Sequence, residues 1–258
     1  MPQQNYLNEI LAVAARILQE LRKTRRALMM WAIFPAAMLL LFGLIYAGDG
    51  STKKSFDATA PGILIGAALF FSCLSGPVTT IVAERERRTL RRLLLSPLRA
   101  SAYFLGIVLA YLAIAFGQTL IVYGIAFFFG GRFHGSLMLG AAIVLLSVAS
   151  YVGLGFFFGA RIAKRTEDAT GPIAAVGVPL LVLGGTFFPT SILPKYLLTV
   201  AYADPVFHMN QALRAVSAKA ATLADVRVHV IFLFAFAIFT LMLGVNSYKK
   251  MLRQEKHA

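Results

Sequence analysis

The sequence has little charge, a single cysteine and no carboxylate within its long apolar runs. Of 258 residues, 14% are charged and 59% hydrophobic, with a mean hydropathy of +0.74. A soluble domain carries about 25% charged residues, so the apolar excess here has to face lipid. Cys73, standing alone, excludes an internal disulfide and any multi-cysteine metal site. It lies in an apolar run and is read as a packing residue. His134, His208, His229 and His257 show no metal-ligand spacing, so no metal is assigned. No Gly-Lys dipeptide occurs, which excludes the loop G-x-x-x-x-G-K-[ST] and with it ATP binding in the usual phosphate cradle. All eleven Asp and Glu fall in loops, termini or the edges of apolar runs. Ion-coupled carriers usually need an ionisable group inside the membrane, and that absence counts against one.

A formal net charge of +14 would suit nucleic-acid binding if the basic residues shared one surface. Instead they fall in short clusters between apolar runs, the pattern of loops held against an anionic leaflet. A membrane-spanning helix needs about 20 mostly apolar residues. Six segments qualify or nearly do: 27–47, 59–83, 102–129, 137–160, 171–188 and 228–246. The fifth is short and contains Pro172 and Pro179.

Eighteen Lys and Arg lie in the N-terminal arm, in the second and fourth connections and in the C-terminal tail. Seven lie on the other side: Lys53, Lys54, Arg132, Lys195, Arg214, Lys219 and Arg227. The positive-inside rule makes the richer side cytoplasmic. Both termini are then inside, which requires an even number of crossings, and six satisfies it. Stretch 189–225 is too apolar for an ordinary loop. Because a further crossing would break parity, it is read as a re-entrant or interfacial helical hairpin on the outer side. No cleavable signal peptide is apparent, and the first apolar run is read as a retained helix.

Two segments carry information beyond hydropathy. In 5–26, Leu7, Ile10, Leu11, Ala14, Ile17, Leu18 and Leu21 recur at three- and four-residue spacing, the stripe of an amphipathic helix lying in the cytoplasmic interface. In 84–99, Glu84 and Glu86 suit a helix N-terminus, Glu84 and Arg88 form an i,i+4 pair, and Ser96-Pro97 stops the helix. A stop-transfer signal needs a few basic residues and no acids, so this two-faced segment reads as a contact surface. The loop around Arg161, Lys164, Arg165, Glu167 and Asp168 again mixes signs. Gly62–Gly66 and Gly155–Gly159 are small-residue pairs that let helices approach closely, read as packing within the chain. The polar residues of the spans that would line a pathway, if they face inward, are Ser72, Ser75, Thr79, Gln118, Tyr123, Ser147 and Tyr151.

Three places then resemble the type-2 ABC-transporter permeases, a family of drug, polysaccharide and teichoic-acid exporters. They are E-R-E-R-R-T-L-R-R-L-L-L-S-P at 84–97, G-A-R-I-A-K-R-T-E-D at 159–168, and G-G-T-F-F-P-T-S-I-L-P at 184–194 followed by Asp204-Pro205 and Arg214. Arg88 departs from a position where the family often carries Gly, and Arg91 from one near a frequent acid. The resemblance implies that 84–99 is a coupling helix docking into an ATP-binding subunit. It carries that role to Glu84, Glu86, Arg88, Thr89, Arg91, Leu93 and Pro97. It also implies two ATP-binding subunits, which hold ATP and Mg, and a second permease copy, with no cofactor on this chain itself.

The sequence therefore predicts an all-α membrane protein, one transmembrane domain over 1–258 with six spans, in a bacterial inner membrane. Its expected function is that of a permease without its own ATPase site, exporting a lipophilic, amphipathic or lipid-linked substrate. An ion-coupled carrier or channel is the first alternative and would favour buried ionisable groups or inverted repeats. A membrane-embedded lipid-modifying enzyme is the second, but it would need clustered carboxylates for a metal. Glu167-Asp168 is the nearest approach to such a cluster.

Overall fold

A computed structural model of the protein describes residues 5–48, 50–87, 98–162 and 165–257, which are helical with no strand among them. Helix α1 (Tyr6–Lys23) runs into α2 (Arg25–Ala47) across a break at Thr24. Then come α3 (Thr52–Glu86), α4 (Ala100–Phe128), α5 (Leu137–Arg161) and α6 (Thr166–Leu183). Short α7 (Lys195–Ala201) and α8 (Pro205–Lys219) precede the long final helix α9 (Leu223–His257). Among the described residues α2, α3, α4, α5 and α9 are long and apolar enough to cross a membrane.

Helix α3 is the centre of the bundle. Its middle, Ile63–Leu74, is wound as a π-helix in which every residue except Phe71 is buried. A helix that is apolar all round belongs in an interior, and the neighbours of α3 reach it through small residues. On α2 the buried positions Pro35, Leu39, Gly43 and Ala47 recur every fourth residue. A Cβ on Gly43 would lie 2.6 Å from the Phe56 ring, and Ser55 Oγ donates to the Gly43 carbonyl at 2.6 Å. Gly62 and Gly66 meet the Thr186 carbonyl and side chain, and Gly155 meets the Leu74 carbonyl, so both small-residue pairs serve packing within the chain. A buried polar knot ties three helices together: Ser72 Oγ donates to Gln118 Oε1 at 2.8 Å, and Gln118 Nε2 donates to the Trp31 carbonyl at 2.9 Å.

Three sequence expectations are modified. The fifth segment does not run to Phe188: α6 stops at Leu183, where Gly184 and left-handed Gly185 (φ 74°) turn the chain back onto α3. Helix α6 is 18 residues long, about 27 Å at 1.5 Å per residue. Glu84 and Glu86 do not open a helix but close one, because α3 continues unbroken to Glu86. The amphipathic helix exists, but its inward face is Glu9, Val13, Ala14 and Ile17, seated on Gly106 of α4, while Leu7 and Leu11 are 63% and 56% exposed. Segment 189–225 contains helices α7 and α8. Asp204 caps α8 by accepting from the Val206 N–H at 2.9 Å, and Pro205 occupies its first turn.

The tightest crossing is α5 on α9. A Cβ on Gly153 would lie 2.6 Å from the Thr240 carbonyl carbon, and one on Gly244 would lie 2.6 Å from the Gly153 carbonyl oxygen. Backbone cannot yield as a side chain can, so Gly153→Ala should destabilise the chain by about 1–3 kcal/mol. Gly117 has open space where its Cβ would be, and Gly117→Ala should be neutral or slightly stabilising. Unfolding midpoints in mixed micelles check the pair, and equal midpoints for the two variants would contradict the crossing.

Candidate functional site

The end of the bundle that carries Glu84 and Arg99 is organised around one carboxylate. Glu84 is 6% exposed, in the last turn of α3. A negative charge at a helix C-terminus opposes the helix dipole, and burial adds a desolvation cost. Partners from other helices answer both. Arg16 Nη2 of α1 donates to Glu84 Oε1, and the Tyr103 hydroxyl of α4 donates to Glu84 Oε2. Burial disfavours the Arg16 charge, but the Glu84 carboxylate outweighs it and holds the guanidinium pKa above its ordinary value. Tyr103 stacks on Tyr248 of α9 at 5.3 Å, and Tyr248 meets Phe156 of α5 edge-on at 5.6 Å. Helices α1, α3, α4, α5 and α9 therefore converge within three contacts of Glu84.

A second, reversed pair lies on the same amphipathic helix. Glu9 is buried and accepts from the Arg99 backbone N–H at 3.2 Å, with Arg99 Nε 3.7 Å from its other oxygen. The Arg99 guanidinium lies over the Tyr6 ring at 5.3 Å. Glu9 and Arg16 are seven residues apart, about two turns along one face. The stretch between Glu84 and Arg99 is thus fastened at both ends to α1, acid to base at one end and base to acid at the other. Arg88, Thr89, Arg91, Leu93 and Pro97 lie within that stretch but outside the described residues, as does the Glu84–Arg88 pair.

The structure gives Glu84 an internal role, as the residue that positions α1 against the bundle, and this departs from its expected placement on a partner-facing surface. Sequence reasoning missed Arg16, Tyr103, Glu9 and Arg99 as a set. The available signal was an acid and a base one heptad apart in α1, mirrored by a base and an acid flanking 84–99. Several of the expected pathway residues make hydrogen bonds within the bundle. Ser72 and Gln118 satisfy each other, Ser147 Oγ donates to the Ile143 carbonyl at 2.8 Å, and the Tyr151 hydroxyl donates to the Ile65 carbonyl at 3.3 Å. Ser75 and Thr79 are half-buried, with Thr79 Oγ1 donating to the Gly76 carbonyl at 2.9 Å. Tyr123 borders an apolar groove of about 600 Å³ between α4 and α5.

The opposite end holds the α7–α8 hairpin. Burial raises the Asp204 carboxyl to about 7, against the opposing pull of the Val206 N–H. His208 Nδ1 lies 2.8 Å from His229 Nδ1, which fastens α8 to α9. Among the described residues no three His, Cys, Asp or Glu side chains are grouped as metal ligands.

Residues 8–217 match the ABC-2 type transporter family. This chain belongs to that family. The match covers α1 through α8, including both fastened ends of the 84–99 stretch. Similar proteins include the probable multidrug ABC transporter permease YbhR of Escherichia coli strain K12, 27% identical over 145 residues, which are 56% of this chain and 39% of the relative. ABC transporter G family member 20 of Dictyostelium discoideum is 27% identical over 218 residues, 81% of this chain and 29% of that protein. The chain thus spans well under half the length of these relatives.

Arg16 is one-third exposed and Glu84 almost fully buried, so their coupling falls between that of a surface pair and a buried one. In this ABC-2 chain, a double-mutant cycle of Arg16→Gln and Glu84→Gln should give an interaction energy of about 1–3 kcal/mol. Additivity within about 0.5 kcal/mol, read from unfolding midpoints, would show that the two side chains do not support each other.

Proposed function

We propose that this chain is the membrane subunit of an ATP-driven exporter and that the 84–99 stretch is its coupling element. The carrying observation is the double fastening of that stretch to α1 through Arg16–Glu84 and Glu9–Arg99. A segment that merely directed membrane insertion would need basic charge alone. A segment that transmits force needs rigid attachments at both ends, and two buried acids supply them. On this reading Glu86, Arg88, Thr89, Arg91, Leu93 and Pro97 meet the ATP-binding partner, while Glu84 passes the movement of that contact to α1 and to the helices around Tyr103.

The basic end then lies in the cytoplasm. Helices α2, α3, α4, α5 and α9 cross the bilayer, α6 makes the sixth, shortened crossing, and the α7–α8 hairpin completes the outer side as a re-entrant element. Energy comes from a separate polypeptide that binds ATP and Mg. Two such subunits serve two copies of this chain, which enclose the pathway between them. The substrate is lipophilic, amphipathic or lipid-linked, in keeping with the absence of acids from the spans. The similarity to a probable multidrug permease of Escherichia coli supports the same class.

The test uses Arg91→Glu, a charge reversal at a position that touches no spanning helix in sequence. Association with the ATP-binding subunit and substrate-stimulated ATP hydrolysis should each fall about tenfold or more, equivalent to roughly 1.4 kcal/mol. The amount of inserted chain should not change. Full association and full transport by Arg91→Glu would reduce 84–99 to a topogenic basic loop.

A further inference from the structure

At the end opposite Glu84, the start of α3, the turn after α6 and the middle of α8 surround an open cavity of about 430 Å³. That lies within the range of ligand pockets, roughly 300–1,000 Å³. Among its described lining side chains two are cationic, Lys54 and Arg214, and none is acidic. Apolar walls come from Phe187, Phe188 and Pro189. The Tyr46 hydroxyl, also on the wall, is already committed, donating to the Phe187 carbonyl at 2.7 Å.

Arg214 is the unusual group. Its Nη2 donates to the Gly185 carbonyl at 3.0 Å, and its Nε is buried without any partner. Among the described residues it forms no ion pair, and neither does Lys54. The acid nearest to Lys54 in the described part of α3, Asp57, is engaged elsewhere, accepting from the Arg132 N–H at 2.6 Å and paired with His134 at 3.0 Å. Burial holds the Arg214 guanidinium below its ordinary pKa, the mark of a cation that has lost water and gained no carboxylate. An unpaired buried charge costs several kcal/mol, whereas an Arg fork in a cavity with open volume is a ready oxyanion receptor. The aromatic and proline wall beside it suits hydrocarbon.

We propose that this cavity binds the oxyanion headgroup of an amphiphile, a phosphate monoester on a hydrocarbon tail, with Arg214 gripping the headgroup, Lys54 closing over it and Phe187 and Phe188 flanking the first carbons of the tail. The assignment rests on the exporter reading, in which this end is the outer one, and it narrows the substrate class to anionic amphiphiles held at the exit.

The test is equilibrium binding of dodecyl phosphate to the purified full chain in dodecyl maltoside micelles, expressed as mole fraction, with no ATP-binding subunit present. Because no transport is measured, failure of the exporter reading leaves the result unchanged, and failure of the site leaves that reading standing. One dodecyl phosphate should bind per chain, at least tenfold more tightly than dodecyltrimethylammonium or inorganic phosphate. Arg214→Gln should weaken binding tenfold or more, and Lys54→Glu should abolish it. Arg132→Gln, which alters a cation outside the cavity, should change nothing. If Arg214→Gln fails to fold, Arg214→Lys should bind within about threefold of the native chain, and Lys54→Glu alone decides the case. Equal binding by native chain and Lys54→Glu would overturn the proposal, as would an equal loss in Arg132→Gln. Asp49, adjacent in sequence to Gly50 on the cavity wall, lies outside the described residues. Binding by Asp49→Asn but not by the native chain would make Asp49 the counter-ion of Arg214 and also overturn the proposal. Full displacement by phosphatidylglycerol at equal mole fraction would assign the cavity to a resident bilayer lipid rather than a substrate.

Discussion

The rest of the structure depends on a carboxylate that has no favourable position of its own. Glu84 sits at the wrong end of its helix for the dipole and away from water, two penalties that its neighbours must offset together. Arg16 supplies charge and Tyr103 a hydrogen bond, and Arg16 reaches Glu84 only because α1 lies against α4. The satisfied carboxylate therefore specifies where the amphipathic helix docks. Val13 seated on Gly106 supplies the apolar part of that contact, but apolar packing between regular helices tolerates sliding by a turn, and a buried ion pair does not.

The bundle above this point is closely packed. Small residues let chain segments meet backbone to backbone, at Gly153 and Gly244 between α5 and α9 and at Gly62 under the turn after α6. Such contacts are stiff, since neither side has a rotamer with which to relax. The π-wound centre of α3 is locked on both flanks by the Ser72–Gln118–Trp31 knot. A push delivered at Glu84 thus enters one continuous helix, Thr52–Glu86, whose far end forms part of the wall of the cavity containing Lys54 and Arg214. The two ends of the molecule are joined by a single rod, which on the proposed exporter reading would link an ATP-driven event at one face to the cavity at the other.

Much of this was legible in the sequence. Long apolar runs made α2 to α5 and α9 evident, because length and hydropathy are local properties. The packing use of Gly62–Gly66 and Gly155–Gly159 was legible for the same reason. What escaped depended on distant partners. Glu84 looked like a helix start because acids favour that end; the residue that reverses the preference, Arg16, is 68 positions away. Helix α6 looked longer because Phe187 and Phe188 continue its apolar run, while the left-handed turn at Gly185 that ends it is made for Thr186 to reach α3. Polar residues within spans read as pathway candidates, yet Ser72 and Gln118 find each other across 46 residues. Hydropathy does not record such pairings.

Amide hydrogen exchange in α1 tests the central claim most directly, because protection there reports docking of the amphipathic helix rather than stability of the spanning bundle. In the native chain, amides around Val13–Ile17 should exchange slowly. In Glu84→Gln they should exchange at least tenfold faster, while those of the α5–α9 crossing around Gly153 keep their native rates. Unchanged protection of α1 in Glu84→Gln would contradict the account, since the helix would then be held by its apolar face alone.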